Sequence, residues 1–84
     1  MKATLNFEND EKVFSAQLSN GELLSNESPA TLAQALIDVG VLPGDAKWHI
    51  WTLENKFEDI MKAVAKGDKT WARMAEFELW RRMS

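Results

Sequence analysis

The sequence predicts a small α+β domain, an N-terminal antiparallel β-hairpin extending to three or four strands and packed against two or three helices. Three observations predict it. Residues 3–8 and 12–18 each alternate apolar and polar side chains, the period of a half-buried strand. From Ser28 onward the apolar residues recur at helical spacing instead. Turn and cap residues punctuate the change, at Asn20-Gly21, Ser28-Pro29 and Pro43-Gly44.

In the first strand Ala3, Leu5 and Phe7 alternate with Thr4, Asn6 and Glu8. Asn9-Asp10-Glu11 is a polar turn without glycine, which predicts a loop of about three to five residues rather than a tight two-residue turn. In the second strand Phe14, Ala16 and Leu18 share one face, and Val13, Ser15 and Gln17 the other. Asn20-Gly21 bends the chain toward a short third strand at Glu22-Leu23-Leu24. The first helix is expected over about residues 29–39. Ser28 caps it, Pro29 sits where a missing N–H costs nothing, and Gly40 stops it with Val41 or Leu42 folding back on the last turn.

Residues 46–53 read two ways. As a strand, Trp48 and Ile50 share a face; as a helix capped by Asp45, Ala46, Ile50 and Leu53 extend the stripe that follows. The strand reading is favoured, with a second helix over about residues 53–66 capped by Thr52. Its stripe is Leu53, Phe57, Ile60, Met61 and Val64, and Glu58 and Lys62 form an i, i+4 pair. Gly67 ends it, and Asp68 caps a third helix over about residues 69–83. Trp71, Ala72, Ala75, Leu79 and Met83 make one stripe of that helix, while Phe77 and Trp80 fall well off it at 100° per residue.

Length and composition bound the function. The 84 residues are expected to form a single domain, 1–84, with a formal charge of −3. There is no Cys, which excludes a disulfide framework, a thiolate nucleophile and an iron–sulfur cluster. No apolar leader and no run long enough to span a membrane is present, so a cytoplasmic protein is expected, with no membrane partner. Charge is uneven: residues 1–45 carry two lysines against seven acids, and residues 46–84 carry eight bases against six acids. That asymmetry is too weak to predict nucleic-acid binding.

Catalytic chemistry finds few parts. His49 is the only histidine, no spacing points to a metal site, and no serine sits in a G-x-S-x-G elbow. Glu54, Glu58 and Asp59 read as a solvated helix face interspersed with Lys56 and Lys62. No enzyme and no cofactor is expected. A deep pocket joining His49 to Glu54 or Asp59 would change that reading.

The surplus lies in large apolar groups. Leu, Ile, Val, Phe, Met and Trp make up one third of the chain, including Trp48, Trp51, Trp71 and Trp80. A domain this short hides only about 60–65% of the surface its unfolded chain exposes, so some of these groups are expected to meet a partner. The expected function is a protein–protein interaction module, an adaptor, inhibitor or accessory factor, whose partner is another protein or a second copy in a homodimer. Its expected site is Phe77, Trp80 and Arg81 on the third helix, joined by Trp51 if residues 46–53 are helical. Trp80→Ala is expected to weaken binding while leaving the fold largely intact.

Two alternatives stand beside it. Glu8, Asp10, Glu11, Glu22 and Glu27 are candidates for an acidic surface that inhibits a nucleic-acid-binding protein, the kind of small chain phages and mobile elements encode. Lys69, Trp71, Arg73, Phe77, Trp80, Arg81 and Arg82 interleave bases with aromatics, which would suit a nucleic-acid-binding accessory protein. Glu76 and Glu78 lie in the same helix, and a Glu78–Arg82 salt bridge is expected there, so nucleic acid is not the favoured partner.

Overall fold

Ala3, Leu5 and Phe7 stand opposite Leu18, Ala16 and Phe14 in the antiparallel register of β1 (Ala3–Glu8) and β2 (Val13–Leu18). The computed structural model, which describes residues 1–84, continues with β3 (Leu23–Asn26), α1 (Pro29–Asp38), a 3-10 turn (Pro43–Asp45), β4 (Ala46–Lys47), α2 (Trp51–Lys66) and α3 (Lys69–Met83). The sheet order is β3-β2-β1-β4. β3 lies antiparallel to β2, and β4 lies parallel to β1. Three strands precede the first helix, and the short β4 falls between α1 and α2, so strands and helices are largely segregated along the chain as in an α+β domain.

One face of the sheet is the core face. Ala3, Leu5, Phe14, Ala16 and Leu18 are buried against Leu32 and Leu36 of α1, Phe57, Ile60 and Met61 of α2, and Leu79 of α3. Thr4, Asn6, Glu8 and Gln17 point the other way and are exposed. The period of two has therefore sorted the side chains between an oily face and a mostly wet one, on which Ser15 is buried.

The caps read from sequence form. Ser28 Oγ accepts the Thr31 N–H at 3.3 Å, and Asp68 Oδ1 accepts the Trp71 N–H at 2.9 Å. Gly40 takes φ of 96°, and the N–H of Val41 bonds back to Leu36 O at 2.9 Å while Val41 is buried. This is the reverse turn that satisfies the last carbonyls of a helix, and glycine enters its left-handed region without a Cβ clash.

Residues 46–53 correct the favoured strand reading. Only Ala46 and Lys47 pair with β1. Glu54 Oε2 then captures the Trp48 N–H at 2.9 Å, and the chain turns into α2 at Trp51, two residues before the expected start. Thr52 is not the cap: Ile50 occupies that position and no side chain bonds there. Trp48 is buried and Ile50 exposed, so they do not share a face.

Candidate functional site

The outward side of α3 follows from its inward side. Ala72, Ala75 and Leu79 are buried, with Trp71 and Met83 partly so, and together they hold the helix against the core. At 100° per residue Phe77 falls opposite that stripe, with Met74 and Trp80 one turn to either side. Met74 is 64% exposed, Phe77 63% and Trp80 38%. Arg73 and Arg81 sit one turn before and after Phe77, and both are exposed. The result is a short apolar ridge with a guanidinium near each end.

Trp80 differs from Phe77 in having a second role. Its ring centroid lies 5.1 Å from that of Phe14 and 6.0 Å from that of Phe7, both in edge-to-face arrangements. Phe14 in turn meets the buried Trp48 ring at 6.2 Å. Trp80 is therefore the outermost member of an aromatic cluster that begins in the core. Trp71 is half-buried, with Lys66 Nζ 5.4 Å from its centroid.

Trp51 is 70% exposed at the first residue of α2. Its spacing places it on the side of Asn55, Glu58 and Lys62, and it shares no aromatic contact or cavity with Phe77 or Trp80. The four tryptophans thus divide between core, rim and solvent. Arg81 pairs with Glu78 at 3.8 Å, in place of the expected Glu78–Arg82 bridge. Arg82 lies instead beside Phe7, His49 and Met83, and enters no ion pair. The expected Glu58–Lys62 pair forms at 3.2 Å.

The five acids of the alternative surface do not form one group. The strand register puts Glu8, Asp10, Glu11 and Glu27 at the hairpin end of the sheet, and Glu22 at the opposite end. Glu8 accepts from Asn6 Nδ2 and Ser15 Oγ, and Glu22 from Asn20 Nδ2.

A second feature had no signal in the sequence. Because β4 covers only Ala3 and Thr4, the outer edge of β1 beyond Thr4 borders a cleft of about 420 Å³. Phe7, Trp48, Ile50, Leu53 and Met83 supply its apolar wall, and His49 and Arg82 its ionisable groups. Neither Glu54 nor Asp59 lines it. No group of three or more His, Cys, Asp or Glu side chains is placed to hold a metal ion, and no helix is long and apolar enough to cross a membrane. No family model, curated protein or solved structure matches the chain.

Proposed function

We propose that the protein is a non-enzymatic interaction module that docks a protein partner on the outward ridge of α3. The observation that carries this reading is the exposure of Phe77, set opposite the buried stripe and flanked by Met74 and Trp80. These are side chains whose burial is favourable at about 25 cal/mol per Å² of apolar surface removed from water. Aromatic and Arg side chains dominate the energetics of protein interfaces, and Arg81 stands one turn from Phe77. Trp80 contributes from the rim of the ridge, while Trp51 lies outside it. Binding partners captured from the native cell should be lost on Phe77→Ala, with the fold unchanged by circular dichroism. Capture of the same proteins by wild type and variant would reject the reading.

A second reading draws on the gathering of Glu8, Asp10, Glu11 and Glu27 at one end of the sheet. That end would meet a basic partner surface, such as that of a nucleic-acid-binding protein. Capture through it would weaken steeply with salt and on neutralising Asp10 and Glu11.

A further inference from the structure

The outward sector of α3 carries charge of one sign. With Phe77 as its centre, Arg73, Met74, Trp80 and Arg81 all fall within about 60° of it at 100° per residue, and no acid does. The acids of the helix stand at its borders, about 100° to either side of Phe77. Glu76 is drawn inward to the Ser28 hydroxyl and the Ala30 N–H, and Glu78 leans on Arg81 at 3.8 Å. Beyond Glu78, the groove between α2 and α3 holds one base and one acid, Lys56 and Asp59. Arg73 enters no ion pair, and the long contact to Glu78 leaves most of the Arg81 guanidinium donors free. Arg73 and Arg81 are eight residues apart, about 12 Å along the axis, with Phe77 midway.

Resting on the ridge reading above, we infer that the partner of the ridge is an acidic amphipathic helix, which lays an apolar side chain on Phe77 and a carboxylate at each of Arg73 and Arg81. Charge complementarity fixes the sign of the flanking groups, because the sector offers two guanidiniums and no carboxylate. Backbone chemistry fixes the conformation. The flank of a helix presents no N–H or C=O to a visitor, so an extended segment would give up its bonds to water on docking, whereas a helix brings its own. Spacing fixes the pattern. Two helices packed nearly side by side share one rise per residue, so carboxylates at i and i+8 with an apolar residue at i+4 match Arg73, Arg81 and Phe77. That pattern reads the same in both directions. A second copy docked through the same ridge sets guanidinium against guanidinium, Arg73 level with Arg81 in the antiparallel sense and with itself in the parallel one, which opposes self-association. Exposed ion pairs add little affinity, so the two arginines choose the partner while Phe77 and its apolar neighbours hold it.

The test uses three pools of helical peptides on an alanine–glutamine background, N-acetylated and C-amidated. In each peptide Leu, Met or Phe stands four residues from two flanking positions, which are Glu in the first pool, Gln in the second and Lys in the third. Binding to the full chain is followed by NMR at the Trp80 indole and the Phe77 ring. The Glu pool should shift both, and the Gln pool should bind about fivefold more weakly. Arg73→Gln should narrow that preference to about twofold. Arg73→Glu combined with Arg81→Glu should prefer the Lys pool to the Glu pool, a reversal that a merely loosened helix does not give. Equal binding of the Glu and Gln pools, still lost on Phe77→Ala, overturns the acidic partner and leaves the ridge standing. Glu-pool binding untouched by Phe77→Ala overturns the ridge and the inference together. No response to any pool at millimolar concentration overturns the inference too. So does a Trp80 shift that grows with protein concentration alone, which would make the occupant a second copy.

Discussion

The carboxylate of Glu76, on α3, accepts the Ser28 hydroxyl at 2.8 Å and the Ala30 N–H at 3.1 Å, so it holds the first turn of α1 from forty-eight residues away. Ser28 is at once donor to Glu76 and acceptor for the Thr31 N–H. A hydrogen bond to a charged group is worth more than a neutral one, and this carboxylate makes two. Glu76→Ala should therefore lower stability by about 1–2 kcal/mol, and Ser28→Ala by about 1 kcal/mol. Urea denaturation of the two single variants and the double variant should give a coupling above about 0.5 kcal/mol. Additive losses would mean that the pair does not act as a unit.

Phe77 and Trp80 should separate stability from binding. Trp80 packs edge-on against Phe7 and Phe14, so Trp80→Ala should cost about 2–3 kcal/mol, rather than leave the fold untouched. Phe77 touches no aromatic ring, and Phe77→Ala should change stability by no more than about 0.5 kcal/mol. Thermal melts of both variants decide the point. A large loss at Phe77 would place it in the core and remove it from any docking ridge.

The joint between α2 and α3 depends on Gly67, whose φ is 73° and whose N–H bonds to Val64 O. Nothing lies within 4 Å of a Cβ placed there. The cost of Gly67→Ala is thus one of backbone conformation alone, about 1 kcal/mol. Gly67→Asn should recover part of it, because asparagine tolerates the left-handed region. Equal midpoints for the Ala and Asn variants in chemical denaturation would contradict this.

Asp10 and Glu11 enter no salt bridge, and both are exposed. Asp10→Asn with Glu11→Gln should leave stability within about 0.5 kcal/mol of wild type. Partner capture through the α3 ridge should also be unchanged. A loss of capture that tracks ionic strength would move the docking surface to the hairpin end.

Sequence reasoning succeeded where the determinants are local. Ser28, Asp68 and Gly40 act on backbone groups within a few residues of themselves, and alternation alone set which face of β1 and β2 is buried. It failed where a side chain acts at a distance or from within the next element. Glu54 reaches back to Trp48 and advances the start of α2, an effect that residue propensities at 46–53 do not contain. Glu76 finds Ser28 only after α3 has docked. Glu78 meets Arg81 rather than Arg82 because Arg82 is turned to the cleft. Phe77 and Trp80 look alike on a helical projection, and only the position of Phe7 and Phe14 distinguishes them. The cleft itself is produced by the brevity of β4, which no pattern in Ala46-Lys47-Trp48 announces.

That brevity also bears on biosynthesis. Ala46 must return to Ala3 across about forty residues of intervening chain, a closure whose entropic cost precedes its reward. As a nascent polypeptide leaves the ribosome, β1, β2 and β3 have met before their flanking neighbour exists. For that interval the whole outer margin of β1 is bare to other newborn copies, an open strand edge of the kind that templates pairing between chains.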